Sequence, residues 1–199
     1  MHIELIGSIE TYRSEVQCIA VNERFHSIVC GTGDGFILFG KIGKRGIEKA
    51  VNIDGIPGKI LITKSWGFIV VSVKKIEKGQ VNNKLIVLNQ EGMEIRQKAI
   101  KNDVKEWITY QTNDDFDRIL MCDVQGKIFT FDVYNLDIGN LIEKCLSEVV
   151  TLKFIPKEDV IYIVQKDGTI LTYSVNASSS IYITSFFHMF FYMILIFCY

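Results

Sequence analysis

Histidine is nearly absent from this chain, and what there is lies badly for chemistry. Of three histidines in 199 residues, His2 and His188 sit at the two ends and only His26 falls within the patterned region. Glu23 is its one acidic neighbour, and no nucleophile with a supporting carboxylate is identifiable. A loop histidine therefore explains His26 better than a general base, and no catalytic residue is expected. An excess of either charge is also lacking: 22 Lys and Arg face 23 Asp and Glu. That balance leaves no global electrostatic footprint for nucleic acid or acidic lipid. Local basic runs, Lys41-Ile-Gly-Lys-Arg45 and Lys74-Lys75, border expected turns and read as solvated loop charge.

Cysteine is odd in number, and its positions (Cys18, Cys30, Cys122, Cys145 and Cys198) are widely spaced. Placement within apolar strands argues for reduced core thiols and a cytosolic setting rather than a disulfide framework. Cys18, His26 and Cys30 could approach one another across neighbouring strands, but the spacing is not that of a zinc site and a fourth ligand is missing. No metal and no cofactor are expected. The N-terminus, Met1-His-Ile-Glu-Leu-Ile-Gly7, has no basic segment followed by a long apolar one and is not a secretory signal. Alanine is scarce, whereas isoleucine, valine and aromatics are plentiful. The balance favours strands over helices.

What the chain does have is one recurring hairpin. Val29-Cys-Gly-Thr-Gly-Asp-Gly-Phe-Ile-Leu-Phe39 is strand, Asp-Gly turn, strand, since glycine takes positive φ freely and Asp tolerates it. The pattern returns at Ile119–Asp132 around Gln125-Gly126 and at Val160–Tyr173 around Asp167-Gly168. A looser copy joins Phe68–Val73 to Lys84–Asn89. The turn positions Gly35, Asn83, Gly126 and Gly168 are separated by 48, 43 and 42 residues. A repeat of about 40–45 residues with four strands per unit marks the blades of a β-propeller. An all-β, WD40-like propeller segment is expected over residues 1–175, with about four blades and the last incomplete.

In order, residues 3–10 read as an outer strand of a preceding blade. Blade one takes Val16–Val21, Ser27–Thr32, Phe36–Ile42 and Gly46–Ile53. Blade two takes Lys59–Thr63, Phe68–Val73, an enlarged polar loop over Glu77–Asn83, Leu85–Asn89 and Met93–Ile100. Blade three takes Val104–Tyr110, Arg118–Asp123 and Lys127–Val133. Its least regular part, Tyr134–Cys145, suits a helical turn better than a clean fourth strand. Blade four takes Val149–Ile155, Val160–Gln165 and Thr169–Val175, and lacks an outer strand.

After a linker at 176–180, residues 181–199 hold 19 residues without Asp, Glu, Lys or Arg. A helix of that length spans about 28 Å, close to the ~30 Å hydrocarbon core. The first expectation is a membrane anchor with the propeller facing the cytosol. The rivals are surplus codons of a truncated frame, or a missing blade-four strand supplied by Ile181–Thr184.

The remaining motifs are weak. Gly31-Thr-Gly-Asp-Gly35 superficially resembles a phosphate-cradling loop, but lacks the Gly-Lys-Ser/Thr ending and a following helix. Asn113-Asp-Asp-Phe-Asp117 is acidic, but not with EF-hand spacing, and reads as a solvated loop. Trp66 and Trp107 border strands and read as core or packing residues. Asn176-Ala-Ser178 is a glycosylation pattern without meaning in a cytosolic domain.

Cys18-Ile-Ala-Val-Asn-Glu-Arg-Phe-His-Ser-Ile-Val-Cys-Gly-Thr-Gly-Asp-Gly-Phe-Ile-Leu-Phe39, Lys64-Ser-Trp-Gly-Phe-Ile-Val-Val71 and the closing Asp167-Gly-Thr-Ile170 hairpin resemble the C-terminal WD-like propeller of BEACH (Beige/neurobeachin-type) proteins. The resemblance covers roughly residues 1–175. It implies a propeller that binds other proteins through loops and rim, as a scaffold in vesicle trafficking or endomembrane organisation. The alternatives are a degenerate or truncated propeller fragment without independent function, or a propeller-based enzyme.

Overall fold

Each short apolar run pairs with the one that follows it, and the pairing restarts three times to give four sheets. The computed structural model describes residue 11 and residues 14–111, 116–175 and 181–185. Sheet one is β1 (Val16–Asn22), β2 (Ser27–Thr32), β3 (Phe36–Lys41) and β4 (Lys49–Asn52). Sheet two is β5 (Ile56–Ile62), β6 (Ile69–Glu77), β7 (Gln80–Leu88) and β8 (Glu94–Ile100). Sheet three is β9 (Val104–Gln111), β10 (Asp117–Asp123), β11 (Lys127–Asp132) and β12 (Ile138–Lys144). Sheet four is β13 (Val149–Ile155), β14 (Val160–Gln165), β15 (Ile170–Val175) and β16 (Ile181–Ser185). All four are antiparallel meanders in chain order.

The middle strands of sheets two and three are apolar on both faces because each of those sheets is packed between two neighbours, while β4 and β8 are mostly exposed. Three apolar clusters do the joining. Val29, Ile37 and Phe39 of sheet one meet Ile60, Ile69, Val71 and Ile86 of sheet two. Val70, Leu85 and Val87, on the other face of sheet two, meet Trp107, Ile119, Met121 and Phe131 of sheet three. Tyr110, Leu120, Cys122 and Ile128 meet Leu152, Ile161, Ile163 and Tyr173 of sheet four. Alternation along a strand thus sends successive side chains to different neighbours: Val70 and Val71 are both fully buried, in different clusters. Close approach between sheets one and two requires Gly31, where a Cβ would lie 2.6 Å from Pro57 Cγ.

The repeated hairpin is the same object three times. The amides of Gly35, Gly126 and Gly168 donate to the carbonyls of Thr32, Asp123 and Gln165, each at 3.0 Å. The three glycines have φ of 85°, 77° and 87°, the left-handed region that glycine enters freely. One residue after each of those carbonyls, Gly33, Val124 and Lys166 donate to Glu15, Asp103 and Glu148 at 2.9, 3.1 and 2.8 Å. The side chains at the first turn position are polar and buried: Thr32, Asp123 and Gln165.

Several expectations need correction. Asn83 is not a turn residue: the Glu77–Asn83 stretch continues the ladder, with Asn83 opposite Lys74 and Glu77 opposite Gln80. The bend is Lys78-Gly79, both at positive φ (49° and 77°), so the polar residues extend both strands instead of forming a loop. Tyr134–Cys145 holds strand β12, not a helical turn after a lost strand. Its pairing with β11 slips twice, between Ile128 and Phe129 and between Phe129 and Phe131, and such slips erase period-2 alternation. Sheet four is complete, because Ile181–Ser185 pairs with β15 from Val175↔Ile181 to Leu171↔Ser185. A helix running from residue 181 is therefore not formed, and no helix among the described residues is long and apolar enough to cross a membrane. The rest of the expected anchor, 186–199, lies outside the described residues. So do the strand expected at 3–10, His2, His188, Cys198 and the Asn176 sequon.

Candidate functional site

His26 closes the β1–β2 turn at φ 49°. Its amide donates to the Glu23 carbonyl at 3.0 Å, and its own carbonyl accepts from Ile42 at 2.9 Å. Asp159 does the corresponding work between β13 and β14, at φ 52° and with Val175 as donor at 2.7 Å. His26 thus occupies a structural turn position.

Among the described residues no cysteine joins a disulfide, and Cys30, Cys122 and Cys145 are buried. Burial pushes Cys18 up to about 11, and burial with Cys145 nearby pushes Cys122 up to about 12. Thiols so shifted hold little thiolate at neutral pH, and the thiolate is the nucleophile and the ligand. No group of three or more metal-ligating side chains gathers among the described residues. Gly31–Gly35 ends β2 and turns into β3. Lys75 is held by Asp54 and Glu77 at 2.5 and 2.6 Å, which keeps the Asp54 carboxyl below its ordinary value.

The two tryptophans separate. Trp107 is buried in the cluster between sheets two and three, as the sequence predicts. Trp66 is 61% exposed, which corrects its assignment to the core. It stands in the β5–β6 turn, a tightly specified one. Thr63 donates its amide to the Phe68 carbonyl at 2.8 Å, and Phe68 returns its amide to Thr63 Oγ1 at 3.0 Å. Gly67 at φ 68° completes the bend, and Gln90 Nε2 donates to the Trp66 carbonyl at 3.1 Å. The backbone beneath the indole is therefore fixed from three directions.

Around Trp66 three turns from two sheets converge on one pocket of about 100 Å³. It is lined by Trp66 and Phe68 from sheet two, and by Phe116, Asp117, Asp132, Val133 and Tyr134 from sheet three. The Trp66 and Phe68 rings stack at 6.4 Å with 15° between planes. Phe116 and Tyr134 are exposed as well, so aromatic surface is offered to solvent from all three turns. Asp117, buried at the junction, accepts from the Ser65 amide at 2.8 Å and from Gln111 Nε2 at 3.2 Å. Gln111 Nε2 also bonds to Ser65 Oγ. Asp132 Oδ1 accepts the amides of Tyr134 and Asn135 at 2.7 and 3.3 Å. Arg96 and Lys98 of β8 reach over to the carbonyls of Tyr134 and Leu136 at 3.1 and 2.8 Å. Of the acidic run expected at Asn113–Asp117, only Phe116 and Asp117 fall among the described residues, and both belong to this pocket.

Two larger cavities lie at the hairpin ends. One of about 340 Å³ runs between Ile100, Asn102, Met121 and Phe129. Its carboxylate, Asp123, is already engaged by Asn102, Gln125 and Lys127. The other, about 480 Å³, lies along Lys105, Gln125, Ser147 and Glu148. There Lys105 and Lys166 hold the Glu148 carboxyl below its ordinary value. Neither converges exposed aromatic side chains as the Trp66 pocket does.

A family model described as "Protein of unknown function (DUF1108)" matches residues 39–124. No curated protein matches. Among solved structures, the chain is similar to the computationally designed Ika4 protein, at 17% identity and TM-score 0.64, covering 88% of this chain and 100% of that one. It is similar to the designed Ika8 protein at 16% identity and TM-score 0.63, covering 87% of this chain and 50% of that one. The β-propeller domain of Cps50 (Swd1) from Myceliophteria thermophila matches at 11% identity and TM-score 0.62, over 91% of this chain and 60% of that one. At these identities the likeness concerns the fold, which is propeller-like, with the four sheets as its blades.

Proposed function

We propose that this chain is a non-catalytic protein-interaction scaffold of WD-repeat, BEACH-like type. It would serve vesicle trafficking or endomembrane organisation from the cytosolic side. The resemblance of Cys18–Phe39 and Lys64–Val71 to BEACH-type propellers supports the setting. The propeller-like fold is consistent with docking partners on a rigid frame. The observation that carries the reading is the Trp66 pocket. Three exposed aromatic residues stand at a blade junction, Trp66 and Tyr134 on well-bonded turns, and aromatic side chains of this kind dominate binding energy at protein interfaces. Well-fixed anchors also lose little freedom on binding.

Affinity capture from cell extract tests the reading, comparing the full chain with W66A/Y134A and with V124A, which removes an exposed apolar side chain at the hairpin end. A specific partner retained by wild type and V124A and lost by W66A/Y134A is the expected result. Equal capture by all three contradicts it.

A further inference from the structure

We propose that two copies of this chain join head to tail into a ring of eight sheets. The free face of sheet four in each copy seats on the free face of sheet one in the other. The inference goes beyond the scaffold reading and does not use the Trp66 pocket. Within the chain every junction is made alike: one face of a sheet packs forward onto the next sheet, and the opposite face of that next sheet packs back. Among the described residues no sheet follows sheet four, none precedes sheet one, and no apolar cluster joins the two.

Strand register identifies the two faces left over. Val29 and Ile37 of sheet one pack forward onto sheet two, and Leu120, Cys122 and Ile128 of sheet three pack forward onto sheet four. All five are buried. The same ladder positions in sheet four are Tyr162, Val164 and Ile170, since Val164 pairs with Ile170 as Cys122 pairs with Ile128 and Gly31 with Ile37. Those three are only half-buried. On the backward side, Trp107 pairs with Met121 and Leu152 with Ile163, and each partner lies two residues before the buried Asp123 or Gln165. Ile19, opposite Cys30 and thus two before Thr32, holds that position in sheet one. Trp107 and Leu152 are 7% and 4% exposed, whereas Ile19 is 62% exposed and Val21, on the same face, 56%. Cys30 and Leu38 are already buried, so the uncovered part of this face is its first strand, β1.

The two leftover faces are therefore the two sides of a junction that the chain makes three times internally. Their valine, isoleucine and tyrosine side chains gain by leaving water against a surface of that kind. Contact between unlike faces is heterologous, and it runs on into a filament unless the rotation closes. Curvature sets the closure. The chain covers 50% of the designed Ika8 chain and 60% of the Swd1 propeller domain, so in both structures more chain continues where these four sheets stop. A second copy completes the path of which the first covers half.

Sedimentation equilibrium of the full chain over a dilution series tests this, with I19D, Y162D and V81D beside the wild type. Ile19 and Val81 are exposed and Tyr162 is half-buried, so one copy keeps its fold with each change, and circular dichroism verifies it. Wild type and V81D are expected at the mass of two chains. I19D and Y162D are each expected to raise the dissociation constant by on the order of a hundredfold or more, because each places an unpaired carboxylate in both junctions. An equimolar mixture of I19D and Y162D keeps one junction intact and is expected to pair more tightly than either variant alone. A wild type that stays monomeric at every concentration overturns the proposal, whatever the variants do. So does a mass that keeps growing with concentration, which marks a filament, or equal dissociation by V81D. Dissociation by I19D with Y162D unchanged also overturns it, since like faces would then be pairing.

Discussion

The Ser65 amide of blade two donates to the Asp117 carboxylate of blade three at 2.8 Å, a backbone-to-side-chain bond across the blade junction. Asp117 is 4% exposed, and the same bond positions the floor of the aromatic pocket. In D117A the Ser65 amide and Gln111 would lose a charged acceptor in a buried place. A loss of about 2–4 kcal/mol is expected, or a fall in Tm of roughly 5–10 °C for a domain of this size. Differential scanning calorimetry measures it, and D117N is expected to recover part of the loss.

A second prediction separates backbone strain from crowding. Gly35 and Gly43 both have positive φ, 85° and 79°. A Cβ at Gly35 would lie 2.9 Å from the Gly55 carbonyl oxygen, whereas one at Gly43 meets nothing within 4 Å. G43A is expected to cost about 1–2 kcal/mol from the left-handed conformation alone. G35A is expected to cost clearly more, because backbone must also move. Urea unfolding of the pair provides the comparison.

Two thiols with raised pKa give the chain an alkaline limit. Cys18 and Cys122 have folded-state values of about 11 and about 12 against an ordinary 9.0. Between those limits the unfolded chain has released the proton and the folded chain still holds it. Stability is therefore full below pH 9 and falls as pH rises from there toward 11–12. Urea midpoints across pH 8–11 should decline, and C18A/C122A should flatten the decline. Thiol labelling at pH 8 should be slow in the native chain and fast in urea.

A core substitution tests whether the blades fold together. Ile119 is fully buried in the cluster joining blades two and three. I119A is expected to cost about 2–5 kcal/mol and to shift one shared transition. Separate transitions for different probes would show that the blades unfold independently.

Hairpin chemistry made most of the fold legible. Asp34-Gly35, Gln125-Gly126 and Asp167-Gly168 announce their turns because glycine is needed at positive φ, and their apolar flanks announce burial on two faces. Where pairing is irregular the reading failed. Slips between β11 and β12 hid a strand, and the continuous ladder across Asn82 and Asn83 looked like a loop because its residues are polar. Ile181–Thr184 is legible as the missing blade-four strand, a reading that the pairing with β15 bears out, but the longer apolar run it opens puts a helix ahead of it. Trp66 was misplaced for a different reason. A tryptophan beside a strand usually packs inward, and only the pairing of Thr63 with Phe68 shows that it rides on a turn. A signal was present all the same, in the polar Lys64-Ser65 and the glycine at 67 that bracket it. Convergence with Phe116 and Tyr134, which lie 50 and 68 residues away, depends on blade packing and no local pattern reveals it.

The most direct measurement is ¹⁹F NMR of the full chain labelled with 5-fluorotryptophan, which places one probe at each of its two tryptophans. On addition of the captured partner, the Trp66 resonance should shift or broaden and the Trp107 resonance should stay in place. A partner that saturates the chain while Trp66 remains unperturbed would contradict the account.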